Sequence, residues 1–240
     1  MYEPRFYRLW SVDKDLVSFN VVVKETDLYI RAKRDLTEKA HEVVVQQRGL
    51  LEDYIRHHPG FATAMEPFPV ENEAPDIVRE MAEAAEKVGV GPMAAVAGAI
   101  AERVGRELLK LSPEVLVENG GDIFLKNLKK RRVGIHTGKP PFDGRVALEI
   151  RAGETPLGVC TSSGTVGHSL SLGSADAVIV LAPSTALADA AATAIGNRVR
   201  EEADIDRSLA FAQEIEGLRG VAIIRNDRMA LWGKIRLVRA

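Results

Sequence analysis

The segment 157–197 concentrates the side chains that could do chemistry. It contains Cys160, the only cysteine of the chain, followed by a loop with three glycines and seven serines or threonines. Further along, Asp189 and Thr193 lie four residues apart, so on a helix they share one face. A carboxylate and a hydroxyl presented together among alanines supply hard oxygen ligands for Mg²⁺ or Ca²⁺. The alternative is a helix whose polar face happens to carry these residues, and the residues alone favour that alternative.

A second polar cluster follows an apolar stretch near the middle of the chain. Glu118 is followed by Asn119, Gly120, Gly121 and Asp122. Asn-Gly between apolar runs is a strong signal for a β-hairpin. Ligand binding is an equally good interpretation, because glycines let a backbone come close while the flanking Glu, Asn or Asp side chains form hydrogen bonds.

The loop after Cys160 begins with Thr161, Ser162, Ser163 and Gly164. Hydroxyl and N–H donors in such a loop can surround an anion. The alternative is a flexible surface connection, but most connections between elements are much shorter than this one. We therefore predict that these four residues contact a bound anionic cofactor.

Cys160 and His168 are the candidate catalytic residues. A lone cysteine is more often a small buried hydrophobe than a nucleophile. A reactive cysteine needs a cation, a histidine or a helix N-terminus to lower its pKa. His168 is close enough in sequence to do so, and otherwise it is a loop histidine with no role that the sequence indicates.

Composition limits the partners of this protein. The chain has 240 residues, of which 46% are hydrophobic and 28% charged, with a net charge of −2. These values are typical of a globular protein, and they lack the basic excess that favours nucleic acid or an anionic membrane. One cysteine and an N-terminus without a signal-peptide pattern lead us to expect a cytoplasmic protein. We expect a small anionic ligand, no nucleic acid and no membrane, and whether a homo-oligomer forms stays open.

Hydrophobic periodicity predicts the elements that must position these residues. Strands are predicted at 5–12, 17–23, 27–33, 115–117, 123–125, 133–136, 146–150, 158–161, 177–181, 220–225, 228–232 and 234–238. Helices are predicted at 36–58, 77–88, from 92 onward, at 184–199 and at 206–216. The helix from Pro92 carries small residues near one face, namely Ala94, Gly98, Ala101 and Gly105. This order of elements is typical of an α+β fold rather than of strict βαβ alternation.

Three segments, taken in order, resemble motifs of the ApbE superfamily, the FAD:protein FMN transferases. They span 116–123, 161–164 and 188–194, and the segment 91–98 is similar to the glycine-rich segment of that family. The chain is most similar to the short branch of this superfamily that has no lipoprotein signal. The resemblance implies one ApbE-like domain over 1–240, with mixed, mostly antiparallel sheets packed against helices.

The resemblance also implies a ligand and a metal. It implies that Asp189 and Thr193 are side-chain ligands of Mg²⁺ and that the carbonyl of Ala94 is a third ligand. The ligand becomes a flavin nucleotide, FAD or FMN, or another diphosphate, whose charge Mg²⁺ would neutralise in a transfer reaction. Two departures bear on the reaction: the family's lysine falls at Ala95, and its His-Ile-x-Asp-Pro-x-Thr-Gly stretch is missing near 166–170.

Three hypotheses for the function therefore stay open. The first is binding of a flavin nucleotide or another diphosphate through Mg²⁺, either with or without metal-dependent transferase activity. The second is sulfur handling through a persulfide on Cys160, in line with the link of some members of this branch to sulfide assimilation and homocysteine formation. The third is a non-catalytic binding module that has kept the fold and lost the chemistry.

Overall fold

The computed structural model describes residues 15–165 and 172–240. The described strands are β1 (Val17–Val23), β2 (Thr26–Ala32), β3 (Val115–Asn119), β4 (Asp122–Lys126), β5 (Arg131–Gly134), β6 (Val146–Ile150), β7 (Leu157–Ser162), β8 (Ala177–Ala182), β9 (Gly220–Arg225), β10 (Arg228–Gly233) and β11 (Leu237–Arg239). The described helices are α1 (Thr37–His57), α2 (Gly60–Thr63), α3 (Asp76–Val88), α4 (Val96–Leu109), α5 (Thr185–Gly196) and α6 (Asp204–Glu214), with 3₁₀ turns at Pro92–Ala95 and Ala152–Glu154.

Eight strands form one antiparallel sheet in the order β1-β2-β3-β4-β7-β8-β9-β10. A smaller sheet has the order β11-β6-β5. Because side chains alternate across a strand, the large sheet has two buried faces. On β7, Cys160 belongs to the helix-side core, whereas Val159 belongs to the core shared with the small sheet. The α+β fold with mostly antiparallel sheets is thus confirmed.

Local signals placed most element boundaries correctly. The helix α3 ends at Gly89, which takes the left-handed conformation at φ 72° that favours glycine. Ser184 caps α5, since its side chain accepts a hydrogen bond from the N–H of Leu187 at 3.2 Å. The predicted strand at 5–12 lies outside the described residues. The element expected from Pro92 begins as a 3₁₀ turn, and the α-helix itself begins at Val96.

Several predicted elements differ by a few residues, among them the helix expected at 184–199, which ends at Gly196. The strand expected at 133–136 runs from Arg131 to Gly134, and the helix expected at 206–216 is Asp204–Glu214. The last strand begins only at Leu237, because Gly233 has φ 75° and breaks the extended chain. None of the helices within 15–165 and 172–240 is long and apolar enough to cross a membrane.

The helix α5 is the element on which the rest converges. It packs against α3, α4, β7 and β8, and nearly all of its residues, including its alanines, are buried. A helix that is apolar all round belongs in a protein interior, so Asp189, its only charged residue, is the exception that calls for a chemical reason.

Candidate functional site

Four elements meet at the candidate site: the start of α4, the β3–β4 hairpin, the end of β7, and α5. Ile123 of β4 pairs with Val159 of β7, and this register brings Asp122 beside Cys160. The Asp122 carboxylate and the Cys160 thiol are therefore neighbours on two paired strands, and the charge of Asp122 acts on Cys160. Asp189 reaches the same region from α5, where the charge of Asp122 acts on it and its own charge acts on Cys160.

The hairpin predicted from Asn-Gly is present, and it also serves the site. Gly120 and Gly121 have φ 68° and 108°, as a two-residue turn of this kind requires. Asn119 and Asp122 lie opposite each other on the paired strands, and both are buried. The Asn119 side chain donates a hydrogen bond to the carbonyl of Ala97 at 3.1 Å. The hairpin therefore places polar side chains against the start of α4.

Asp189 is held by the backbone of α4. Its Oδ2 accepts a hydrogen bond from the N–H of Gly98 at 2.8 Å. A Cβ atom at position 98 would lie 2.4 Å from the carbonyl oxygen of Thr185 and 2.9 Å from Cβ of Asp189. The small residues on this face of α4 thus allow α4 and α5 to come into contact, and only glycine fits at position 98.

The two carboxylates share a strongly desolvated environment. Burial raises the pKa of Asp122 to about 7, and the charge of Glu118 adds to the rise. Burial and the charge of Asp122 hold the pKa of Asp189 well above its usual range. One oxygen of Asp122, Oδ1, is buried and has no hydrogen-bond partner among the described residues. No lysine, arginine or histidine of the described ranges forms a salt bridge to either aspartate.

These observations fit a cation and a ligand that supplies oxygens. A buried carboxylate without a counter-charge is unfavourable, and a divalent cation would remove the repulsion between the two. Within 15–165 and 172–240, no three His, Cys, Asp or Glu side chains cluster closely enough to hold a metal by themselves. A cation here would need hydroxyl, carbonyl, water or phosphate oxygens as well, which is how Mg²⁺ is usually bound.

The sequence-predicted metal ligands lie on elements that touch one another. Thr193 is half-buried, one helical turn after Asp189 on α5. Ala94 is half-buried in the 3₁₀ turn Pro92–Ala95, and this turn packs against α5. The structure therefore brings together the helices and turns that carry all three residues, while their role as ligands stays a prediction.

The hydroxyl-rich loop is closed at its base beside the C-terminal end of α5. The N–H of Gly164 donates to the carbonyl of Ala175 at 2.9 Å. A Cβ at Gly173 would lie 1.9 Å from the carbonyl oxygen of Gly196, so the loop packs directly on the helix. Ser162 is buried, Thr161 and Ser163 are half-buried, and Gly164 is exposed. Contact of these four residues with a cofactor stays a prediction.

Cys160 is completely buried, and its Sγ donates a hydrogen bond to the carbonyl of Thr185 at 3.4 Å. Burial and the charges of Asp122 and Asp189 raise the pKa of this thiol well above its usual range. The surroundings thus favour the neutral thiol over the nucleophilic thiolate. His168, the second candidate catalytic residue, lies outside the described residues.

Sequence reasoning missed one residue of the site. Glu102 of α4 is buried, and its Oε2 accepts a hydrogen bond from the N–H of Thr185 at 2.6 Å. This contact ties the first turn of α5 to α4 and so helps to position Asp189. The available signal was a charged residue inside the apolar helix that begins after Pro92.

Comparison with known proteins agrees with this fold. The apo form of the Pseudomonas stutzeri flavinyl transferase ApbE superimposes with a TM-score of 0.57, covering 91% of this chain and 94% of that one at 16% identity. A mutant of the flavin transferase ApbE from Vibrio cholerae gives 0.56, covering 90% and 96% at 13% identity. At these identities the likeness concerns the fold alone, and it defines a protein with an ApbE-like fold.

Closer relatives place the chain within that class. A family model described as "AbpE bacteria" matches residues 8–218. A UPF0280 protein of Methanocaldococcus jannaschii is 42% identical over 221 residues, covering 90% of each chain. A UPF0280 protein of Methanopyrus kandleri is 42% identical over 226 residues, covering 91% of each chain. The chain belongs to this ApbE-like family of UPF0280 proteins.

Proposed function

We propose that this protein binds a flavin nucleotide, FAD or FMN, or another diphosphate-type ligand together with Mg²⁺. The observation that carries the proposal is the pair of buried carboxylates, Asp122 and Asp189, which come from different elements and form no salt bridge with a lysine, arginine or histidine of the described residues. The unpartnered Oδ1 of Asp122 supports it further. The flavin transferases that share the fold favour a flavin nucleotide among the diphosphates.

Each residue of the site has a proposed part in binding. Asp189 and Thr193 are the proposed side-chain ligands of Mg²⁺, the Ala94 carbonyl is a third, and Asp122 is a further carboxylate for the same cation. The loop residues Thr161, Ser162, Ser163 and Gly164 supply donors for phosphate oxygens. Glu118 holds the hairpin turn, since its Oε1 accepts a hydrogen bond from the N–H of Gly121 at 2.9 Å.

We propose in addition that the bound ligand takes part in a transfer reaction. When bound, Mg²⁺ neutralises the charge of a diphosphate and so favours attack on it. The described residues contribute binding and orientation: α4 fixes Asp189 through Gly98, and the buried setting excludes water from the carboxylates. The sulfur-handling hypothesis requires a thiolate at Cys160, and the surroundings of that residue do not favour one.

Calorimetric titration of the full chain with FAD and with ADP, with and without Mg²⁺, tests the proposal. We expect binding that depends on Mg²⁺ and that Asp189→Asn weakens by about ten-fold or more, because an ionic ligand is lost. Asp53→Asn is the matched control, since Asp53 is an exposed carboxylate on α1. Equal affinity of Asp189→Asn and the wild type for both nucleotides would overturn the proposal.

A further inference from the structure

A second polar pocket lies at the C-terminal end of α5, apart from the two buried carboxylates. It has a volume of about 380 Å³, and residues of the connection from α5 to α6 and of α6 itself line it. Three of the lining residues are arginines, Arg198, Arg200 and Arg207. The volume is in the range of small-molecule sites in proteins.

The three guanidinium groups form no direct ion pair in the described part of the chain, although the charges of Arg200 and Arg207 act on Asp204. None of them forms a salt bridge with a described carboxylate, although the chain has slightly more acidic than basic residues. Arg198 lies over the ring of Phe211, with its Cζ 3.6 Å from the ring centroid, and its Nη1 donates to the carbonyl of Ala194 at 2.8 Å. Since an arginine has five N–H donors, most of its hydrogen-bonding capacity remains for a ligand.

Asp204 is the only carboxylate that lines the pocket, and its side chain forms hydrogen bonds with backbone N–H groups. The Oδ2 of Asp204 accepts hydrogen bonds from the N–H groups of Arg200 and Glu201, each at 3.0 Å. These bonds hold the pKa of Asp204 below its usual value. They also fix the turn that carries Arg200. Three arginines against one aspartate leave a charge of +2 on the lining.

We infer that this pocket binds a phosphate group of a small molecule. Planar guanidinium groups match phosphate oxygens in charge and geometry, and the stacking on Phe211 fixes the plane of Arg198 before a ligand arrives. The buried Ser208 adds a hydroxyl to the lining. This inference does not depend on the metal site that we propose at Asp189.

Two kinds of ligand would supply this phosphate group. The pocket begins one helical turn beyond Thr193, since the N–H of Asn197 donates to the Thr193 carbonyl at 2.9 Å. A distal phosphate of the ligand bound at Asp189 is one source, and a separate phosphate compound is the other. Both have the same chemistry at the arginines, so binding experiments must distinguish them.

The test uses the full chain in EDTA, with inorganic pyrophosphate as the probe, followed by calorimetry and by NMR shifts. We expect Arg207→Gln and Arg198→Gln each to weaken binding about ten-fold, because each removes charge-assisted hydrogen bonds. Arg34→Gln is the control, since Arg34 is an exposed arginine in the turn between β2 and α1. Because Arg198→Gln also loses the contact with Phe211, thermal melts of all variants establish that they remain folded.

Absence of metal-free pyrophosphate binding to the wild type, or equal affinity of the two pocket variants and the control, would overturn the inference. The same variants are then titrated with ADP and Mg²⁺. Weaker ADP binding by Arg207→Gln supports the pocket as part of the same ligand site. Unchanged ADP binding with weaker pyrophosphate binding supports it as the site of a separate phosphate compound. Loss of ADP binding in Asp189→Asn alone concerns only the metal site.

Discussion

The N–H of Gly98 donates a hydrogen bond to Oδ2 of Asp189 across the contact of α4 with α5, at 2.8 Å. This single bond joins the small-residue face of one helix to the only charged residue of the other. It requires the two backbones to approach so closely that a methyl group on Gly98 would overlap the Thr185 carbonyl.

Gly98→Ala should therefore destabilise the protein and weaken Mg²⁺-dependent ligand binding together. Overpacking of this kind costs about 1–3 kcal/mol, and here the obstacle is backbone, which cannot rotate away. Urea unfolding measures the change in the free energy of unfolding. Gly49→Ala is the matched control: it is a helical glycine with open space around it, and it should stabilise α1 by about 0.5–1 kcal/mol. A neutral Gly98→Ala would contradict the tight contact.

The pKa of Asp122 predicts a pH-dependent stability of the metal-free protein. The folded-state pKa of about 7 lies above the unfolded value of about 3.9, so the folded protein binds the extra proton between these values. The contribution of Asp122 to stability is thus complete below pH 4 and is lost as the pH rises to about 7. Three pKa units correspond to at most about 4 kcal/mol.

The comparison of wild type with Asp122→Asn measures this contribution together with the effect of the Asp122 charge on the pKa of Asp189. We expect the free energy of unfolding of the wild type, relative to that of the variant, to fall between pH 4 and pH 7 in EDTA. Other acidic groups with lowered pKa values, such as Asp35, act in the opposite direction in both proteins and cancel. A difference that stays constant over this range would show that Asp122 is not desolvated as described.

Mg²⁺ should stabilise the folded protein, because it would offset the repulsion between the ionised side chains of Asp122 and Asp189. At pH 7.5 we expect added Mg²⁺ to raise the Tm of the wild type, because a ligand that binds only the folded state stabilises it. The increase should disappear in Asp189→Asn and shrink in Asp122→Asn and Thr193→Val. Ca²⁺ is the comparison ion, and an increase that survives in Asp189→Asn would place the cation elsewhere.

Cys160 should behave as a structural residue toward thiol reagents. Since the thiol is wholly buried and its pKa is raised, we expect alkylation by iodoacetamide to be at least about 100-fold slower in the native protein than in denaturant. Cys160→Ala should leave nucleotide binding within about two-fold of the wild type. Rapid alkylation of the native protein would instead revive the persulfide hypothesis.

Local rules let the sequence determine much of this protein. The left-handed Gly89, the Ser184 cap and the glycine turn before Asp122 depend on steric limits and hydrogen bonds within a few residues. For this reason they were predictable without a fold. The same holds for the pairing of Asp189 with Thr193 on one helix face, which follows from helical periodicity alone.

Only the tertiary structure decides which other side chains the residues of the site contact. Asp122 and Asp189 are far apart in the chain, and they meet because the β4–β7 register and the packing of α5 on the sheet bring them together. Their charges interact strongly because both are removed from water, which no local pattern reveals. Arg198 and Phe211 likewise come together only when α6 folds back beside α5. Burial and long-range packing depend on the whole chain, and they turned isolated polar residues into a desolvated acidic site and an arginine pocket.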